Sequence, residues 1–251
     1  MILLLDLGNT HTHLGWASAT RVQRHADFPT SAWHTGGAAA RLKAFVGLRP
    51  PAAVVLCSVV PPVMAAVRRL SRRLWGLTPL ELTPQTLVGV GINYPRPASI
   101  GPDRLANAVA ARHYFGAPVV VVDFGTAVTF DVVDARGDYV GGIIAPGLAA
   151  MTDYLHEKTA LLPRIRVREV RAIVGRSTEQ AMLIGAVHGY RGLVRELVRE
   201  LRGALECRRL PVVATGGYAR LLAAHLPEID AVRPLLTLDG LRLVWRARAG
   251  R

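Results

Sequence analysis

Two short segments of the sequence combine a carboxylate, a glycine and small polar residues directly after an apolar run. The first is Asp6-Leu-Gly-Asn-Thr10, and the second is Asp123-Phe-Gly-Thr126. Glycine lets the backbone approach a phosphate closely, and asparagine, threonine and exposed amides can donate hydrogen bonds to its oxygens. The aspartate would act through a cation such as hydrated Mg²⁺, because a carboxylate and a phosphate repel each other. Both segments therefore predict binding of nucleotide phosphates.

The two segments also predict an internal duplication. Asp6 and Asp123 lie about half a chain length apart, and each follows three apolar residues. The alternative for either segment is a β-turn that uses Asp, Gly and Asn for backbone geometry alone. A third glycine turn after an apolar run, Thr215-Gly-Gly217, favours convergence of three strand ends on one nucleotide.

Two common nucleotide fingerprints do not occur. The sequence has no G-x-x-x-x-G-K-[ST], and neither Lys43 nor Lys158 follows a glycine-rich turn between a strand and a helix. No G-x-G-x-x-G opens a helix after the first strand. A P-loop and a dinucleotide-binding fold are both disfavoured.

The elements that must position these segments alternate between strands and helices. Strands are predicted for residues 2–6, 52–57, 119–122 and 211–217, and helices for residues 62–75, 105–114 and 178–202. A last helix is predicted after Asp239, and Pro102 and Asp103 suit the first turn of the helix that follows them. Alternation in both halves predicts an α/β fold.

The net charge of +13, from 31 basic and 18 acidic residues, favours polyanions such as nucleic acid. Nearly all the basic residues are arginines scattered along the chain, and aromatic residues make up only 6%. The densest cluster, at Arg68, Arg69, Arg72 and Arg73, is interleaved with apolar residues at helical spacing. This pattern indicates the solvent-facing side of an amphipathic helix, so nucleic-acid binding is the less favoured alternative.

The composition is that of a globular protein with a large core. Hydrophobic residues make up 51% and charged residues 20%, which excludes a disordered chain or a disulfide miniprotein. No apolar run reaches the ~20 residues that span a bilayer, and the first run lacks the preceding basic residues of a signal peptide. Cys57 and Cys207 lack metal-site spacing, and we interpret them as reduced packing residues in a cytoplasmic protein without a membrane partner.

An ordered set of motifs resembles the type III pantothenate kinase family over essentially the whole chain. The motifs are Asp6-Leu-Gly-Asn-Thr10, Tyr94, Gly101-Pro-Asp-Arg104, Asp123-Phe-Gly-Thr126 through Asp131, Gly141-Gly142, Ala145-Pro-Gly147, Gly175-Arg-Ser-Thr178 and Thr215-Gly-Gly217. Each motif alone is weak, but their order and spacing are specific. The resemblance implies two ribonuclease-H-like domains, residues 1–116 and 117–251, of the actin, sugar-kinase and heat-shock ATPase superfamily, with ATP in the interdomain cleft.

The resemblance implies the nucleotide site residue by residue. The ATP phosphates would lie on the segment Asp6, Leu7, Gly8, Asn9, Thr10, His11, Thr12 and His13, with Thr126 as a second contact. The two histidines would contribute backbone rather than imidazole. Asp123 would bind a monovalent cation, potassium or ammonium, and Thr215-Gly-Gly217 resembles the adenosine-side turn of the superfamily.

The resemblance also implies the substrate site. Pantothenate would be held by Tyr94, Gly101, Pro102, Asp103 and Arg104, with Thr178 assisting, and Asp103 would be the general base. Without the family match, the alternative role of Asp103 is a carboxylate that stabilises the positive end of a helix dipole. The alternative for Tyr94 is a packing residue, and the alternative for Thr178 is a helix N-cap. The chain departs from the family pattern at His11, Pro102 and Val128, where Asn, Ala and Thr are common.

The expected activity is ATP-dependent phosphorylation of pantothenate to 4′-phosphopantothenate, the first step of coenzyme A biosynthesis, with Mg²⁺ and a potassium or ammonium ion. The resemblance further implies a homodimer. Two alternatives remain open: a DNA-associated transcriptional accessory protein of the same family, and a related kinase that acts on another small alcohol.

Overall fold

The computed structural model describes residues 1–250, which form two compact units. The first unit consists of Met1–Gly116, Gly137–Val140 and Leu235–Arg251, and the second of Ala117–Arg136 and Gly141–Pro234. The last helix, together with Gly137 and the first three residues of the strand that follows it, packs with the first unit.

The first unit is built on a five-stranded sheet with the strand order β3-β2-β1-β4-β5. Its elements are β1 (Ile2–Leu7), β2 (His11–Ala17), β3 (Val22–Pro29), α1 (Ala38–Val46), β4 (Ala53–Ser58), α2 (Met64–Trp75), β5 (Leu80–Glu81), β6 (Gly91–Ile92), α3 (Pro102–Phe115) and α7 (Leu236–Ala249). Strand β1 pairs antiparallel with β2 and parallel with β4.

The second sheet has the strand order β11-β10-β7-β8-β9-β6. The remaining elements are β7 (Val119–Phe124), β8 (Ala127–Val133), β9 (Asp138–Pro146), α4 (Leu148–Lys158), α5 (Thr178–Ala204), β10 (Val212–Thr215), α6 (Ala219–Ala223) and β11 (Ala231–Val232). Strand β7 pairs antiparallel with β8 and parallel with β10. The short β6 joins only the first two residues of β9, Asp138 and Tyr139.

The two sheets repeat one topology, which confirms the predicted duplication. In each, the first strand has an antiparallel neighbour that follows it directly and a parallel neighbour that follows a helical crossover. Strands β1 and β7 also share one burial pattern, in which four buried residues precede a half-buried aspartate. Asp6 and Asp123 therefore occupy equivalent positions at the ends of equivalent strands.

Helices cover both faces of the first sheet. Strand β1 therefore carries apolar side chains on both faces instead of alternating apolar and polar residues. Leu3, Leu5 and Leu7 pack toward α1 and α2 in one hydrophobic cluster. Helices α3 and α7 pack against each other and against the other face of the sheet. Since side chains alternate along a strand, Asp6 lies on the face covered by α3 and α7.

The arginine-rich helix α2 is amphipathic, as the sequence predicts. Val67 and Leu70 are buried, whereas the four arginines are exposed, and Arg68 forms an ion pair with Glu81. Between residues 1 and 250, every helix falls short of the length and hydrophobicity needed to cross a membrane.

Two helices differ from the sequence-based expectation. Helix α7 begins at Leu236, before Asp239 rather than after it. Helix α4 was not predicted, because its apolar residues do not mark one buried face. Only Leu148 and Thr152 of α4 are buried, while Met151, Tyr154 and Leu155 are exposed.

Gly240 allows α7 to approach α3 closely, because a β-carbon at this position would overlap the backbone carbonyl of Ala106. We expect Gly240→Ala to lower the free energy of unfolding by about 1–3 kcal/mol through overpacking, although alanine is the better helix former. Urea denaturation measures this change. The control is Gly192→Ala in α5, where a β-carbon has space. Equal effects of the two substitutions would contradict this account of the helix contact.

Candidate active site

The turn between β1 and β2 exposes polar groups at the end of a buried strand. The Gly8 amide donates a hydrogen bond to the His11 carbonyl at 3.0 Å. Asn9, Thr10 and His11 are exposed at the tip of the turn, and His13 is exposed on the strand that follows. The turn therefore presents hydrogen-bond donors to solvent at the position where the sequence predicts phosphate binding.

A buried hydrogen-bond network supports this turn from beneath. The Thr30 hydroxyl donates to the Gly8 carbonyl at 2.7 Å and lies 3.1 Å from the Thr12 hydroxyl, and Trp33 Nε1 donates to Thr12 Oγ1 at 3.0 Å. Leu7 and Thr12 belong to the predicted phosphate segment, but their side chains face the interior. Thr30 and Trp33 were not among the predicted site residues, since no local pattern links them to the turn.

The strand register brings a buried thiol beside Asp6. Cys57 is the register partner of Asp6 in the parallel pair of β1 and β4, and its thiol donates to Asp6 Oδ1 at 3.3 Å. Burial raises the pKa of Cys57 well above its ordinary value, and the negative charges of Asp6 and Asp103 raise the pKa further. Asp6 therefore contacts the thiol directly, and Asp103 acts on it through its charge. Cys57 is buried, as the sequence predicts, but it also contacts a predicted site residue.

Asp103 lies in the first turn of α3, on the same face of the sheet as Asp6. Its Oδ1 accepts a hydrogen bond from the Arg104 amide at 2.8 Å, and it lies so close to Gly101 that a β-carbon there would collide with it. Burial raises the pKa of Asp103 above the ordinary aspartate value, and the amide and charge of Arg104 oppose this shift only in part. A carboxylate made more basic by burial is suited to accept a proton.

Pro102 is the first residue of α3, with Gly101 as its N-cap. The amide that proline lacks would have no partner within the helix at this position, and the fixed φ of proline suits a first helical residue. The fold thus accommodates this departure from the family pattern.

Tyr94 and Arg104, two of the predicted substrate residues, both lie against one aromatic ring. Tyr94 is 36% exposed and packs edge-on against Tyr139, with ring centroids 6.2 Å apart. The guanidinium carbon of Arg104 lies 5.8 Å from the centroid of the same Tyr139 ring. The structure therefore brings Tyr94, Arg104 and Asp103 together in the first unit.

The second unit has a turn equivalent to that between β1 and β2. The Gly125 amide donates to the Ala127 carbonyl at 3.1 Å, and Thr126 is exposed. The Gly147 amide donates to the Thr126 carbonyl at 3.1 Å, and a β-carbon at Gly147 would overlap this turn. In both turns the glycine amide donates to the carbonyl of the first residue of the next strand, in keeping with the repeated strand order.

Asp123 lies next to the second glycine turn of this unit. Gly216 has a φ of +90°, and a β-carbon there would lie 2.5 Å from Asp123 Oδ1. Thr129 and Thr215 are the register partners of Asp123 on the two neighbouring strands, so their side chains share its face of the sheet. A carboxylate flanked by two hydroxyl groups is a donor set that suits a hard cation.

Thr178 is exposed at the first residue of α5, in the second unit. The N-cap of this helix is Ser177, whose hydroxyl accepts a hydrogen bond from the Gln180 amide at 3.2 Å. The alternative interpretation of Thr178 as the N-cap is therefore wrong, and its side chain is available for another contact.

A cavity of about 610 Å³ lies in the second unit beside Tyr218, the residue after the Thr215-Gly-Gly217 turn. Its walls come from α4 and from the segment between α4 and α5. The lining residues are Ala149, Thr152, Asp153, Arg164, Ile165, Arg166, Val167 and Tyr218. Within residues 1–250, no group of three His, Cys, Asp or Glu side chains is arranged to hold a metal ion.

Comparison with known proteins identifies one family. Residues 2–200 match the family model for type III pantothenate kinase. The chain is 53% identical to a type III pantothenate kinase of Akkermansia muciniphila over 78% of this chain and 79% of the relative. It is 40% identical to a type III pantothenate kinase of Methylacidiphilum infernorum over 97% of this chain and 87% of the relative.

Solved structures show the same fold at low sequence identity. A putative Baf family transcriptional activator from Campylobacter jejuni is 18% identical, with a TM-score of 0.65, and the match covers 99% of this chain and 100% of that one. A putative 2-dehydro-3-deoxygalactonokinase from Sinorhizobium meliloti is 14% identical, with a TM-score of 0.59 over 99% of this chain and 96% of that one. These likenesses show that the chain shares the two-sheet α/β fold of these proteins.

The network beneath the β1–β2 turn predicts the effect of Thr30→Val. This substitution keeps the side-chain shape but leaves the Gly8 carbonyl without its hydroxyl donor, so we expect a loss of about 1–3 kcal/mol in unfolding free energy. Hydrogen exchange should also become faster at residues 8–11. The control is Thr35→Val, which removes an exposed hydroxyl near the same segment. Unchanged exchange and stability in Thr30→Val would show that the network does not hold the turn.

Proposed function

The chain belongs to the type III pantothenate kinase family, which phosphorylates pantothenate in coenzyme A biosynthesis, and we propose that Asp103 is the general base of that reaction. One observation carries the proposal: Asp103 is a buried carboxylate in the first turn of α3, the helix that packs on the same face of the sheet as Asp6. A proton acceptor is thus held on the side of the sheet where β1 ends in the turn proposed to bind the phosphates.

The reaction requires the primary hydroxyl of pantothenate to attack the γ-phosphorus of ATP. Asp103 accepts the hydroxyl proton as the new oxygen–phosphorus bond forms, and the bond between the γ-phosphorus and the bridging oxygen breaks to release ADP. The raised pKa of Asp103 makes the carboxylate a stronger base. Positioning of the two reactants supplies much of the remaining acceleration in phosphoryl transfer.

The turn from Asp6 to His13 is the proposed phosphate site of the first unit, and Thr126 is a second nucleotide contact. The exposed Asn9, Thr10 and His11 support this assignment, since they surround backbone amides at a strand end. Leu7 and Thr12 would contribute through their backbone, because their side chains are buried. The Thr215-Gly-Gly217 turn and the cavity beside Tyr218 are proposed to receive the adenosine.

We also propose that the reaction uses two cations. Hydrated Mg²⁺ needs only one or two carboxylates besides phosphate oxygens, and Asp6 offers one at the end of β1. The ion neutralises charge on the phosphates when it is bound. Asp123, flanked by Thr129 and Thr215, is proposed to hold potassium or ammonium.

Arg104 and Tyr94 are proposed to bind pantothenate, with Gly101 and Pro102 supplying backbone and Thr178 assisting. Pantothenate carries a carboxylate at the end opposite its reacting hydroxyl, and a guanidinium group recognises carboxylates through a planar set of donors. The packing of Arg104 and Tyr94 on one ring supports a shared role.

We also propose that the protein is a homodimer located in the cytoplasm. The second unit exposes the apolar side chains of Ile144, Met151, Tyr154, Leu155, Leu161, Ile173 and Val174. This exposure supports a homodimer that covers them. The free thiols of Cys57 and Cys207 support the reducing cytoplasm as the location. The DNA-associated alternative is not favoured, because the arginines of α2 are the polar face of a packed helix.

Asp103→Asn tests the base directly. We expect kcat to fall by about 10²–10⁴-fold, with little change in ATP affinity, in an assay of ADP release with pantothenate, Mg²⁺ and ATP. The unmutated chain should lose activity as the pH falls through the raised pKa of Asp103, above the ordinary value of 3.8. The control is Asp134→Asn in the β8–β9 turn. Wild-type turnover in Asp103→Asn would remove this residue from the base role.

A second expectation concerns the monovalent cation. Replacing potassium and ammonium by sodium at constant ionic strength should lower kcat/KM by about tenfold or more, because the smaller sodium ion would fit the site of the larger ions poorly and leave the nucleotide charge less well offset. Asp123→Asn should abolish the stimulation by potassium, whereas Asp134→Asn should retain it. Full activity in sodium alone, or stimulation that survives in Asp123→Asn, would contradict the assignment of the cation to Asp123.

A further inference from the structure

We propose that Tyr139 is a positioning residue for the pantothenate site: its buried ring holds Arg104 and Tyr94 in the orientation that binds the substrate. This inference rests on the proposed function of those two residues. Tyr139 does not belong to the motifs by which the chain resembles its family, and it lies far from both residues in the sequence.

The ring of Tyr139 lies against the side chains of both Tyr94 and Arg104. The ring of Tyr139 is fully buried, and it contacts Tyr94 edge-on at an interplanar angle of 67°. The Arg104 guanidinium carbon lies 5.8 Å from the ring centroid, within the range of a cation–π contact. One rigid ring therefore limits the positions of both side chains.

The backbone fixes the ring relative to the segment that carries Tyr94. Tyr139 is the register partner of Ile92, and the Asn93 amide donates to the Tyr139 carbonyl at 3.0 Å. On the adjacent residue pair, the Asp138 carboxylate occupies the space above Gly91, where no β-carbon would fit. This two-residue pairing of β6 and β9 explains why residues 137–140 pack with the first unit.

The arrangement matters most for Arg104. An arginine side chain has several rotatable bonds, and a carboxylate ligand gains most from a guanidinium group whose plane is already oriented. The cation–π contact with the Tyr139 ring removes part of this freedom before the substrate arrives. Loss of the ring should therefore weaken pantothenate binding, with little effect on the nucleotide or on the proton transfer.

The test compares three variants of Tyr139 in the full chain. Tyr139→Leu and Tyr139→Met remove the ring, and Tyr139→Phe keeps it. We expect the first two to raise the Kd and the KM for pantothenate by about fivefold or more, with unchanged KM for ATP and kcat within about twofold. Calorimetry with pantothenate alone measures Kd, and ADP release measures the kinetic constants. Tyr139→Phe should remain close to the unmutated chain in every constant.

The matched control is Phe45→Leu, which removes another aromatic ring of the first unit that lies beneath an arginine, Arg24, at 5.3 Å. Thermal melting shows whether each variant is folded, so that loss of fold can be distinguished from loss of binding. If Tyr139→Leu does not fold, Tyr139→Met replaces it in the binding measurement. A folded ring-less variant with unchanged pantothenate affinity, or one with an equal rise in the KM for ATP, would overturn the role of Tyr139. An unmutated chain that does not bind pantothenate would instead contradict the proposed function.

Discussion

Two carboxylates on one covered face of the first sheet, Asp6 and Asp103, are the feature on which the proposed site depends. Asp6 stands at the end of a strand whose preceding residues are fully buried, and the parallel pairing with β4 places Cys57 beside it. Side-chain alternation directs Asp6 to the face covered by α3, whose first turn carries Asp103. Burial makes Asp103 a stronger base, and the Arg104 amide keeps it oriented. Burial on the covered face of the sheet thus gives the proposed base, Asp103, its raised pKa.

Duplication explains why a second polar turn of the same form exists. The repeated strand order places Asp123 where Asp6 stands in the first sheet, but the neighbours of the two residues differ. Asp6 contacts a thiol and lies on the face of its sheet that α3 covers, whereas Asp123 lies between two threonines and close to Gly216. One unit therefore carries the proposed base, and the other carries a donor set suited to a cation. The two equivalent strand ends support different chemistry because the side chains around their aspartates differ.

The sequence predicted the elements with strong apolar patterns and the residues that follow them. The buried strands, the amphipathic α2, Pro102 at the start of α3 and the duplicated aspartate motifs agree with the structure. Contacts between distant segments could not be predicted, because they depend on strand register and helix packing. Cys57 beside Asp6, Thr30 beneath Gly8 and Tyr139 between Tyr94 and Arg104 are such contacts. Helix α4 was missed because its apolar side chains are largely exposed, and α7 packs with the first unit through Gly240, which no local pattern indicates.

The most direct test of the account is a crystal structure of the full chain with a non-hydrolysable ATP analogue, Mg²⁺ and pantothenate. The account predicts phosphates over the turn from Asp6 to His13, and the primary hydroxyl of pantothenate at about 3 Å from the Asp103 carboxylate. A pantothenate molecule whose hydroxyl lies away from Asp103, or a triphosphate bound apart from this turn, would contradict it.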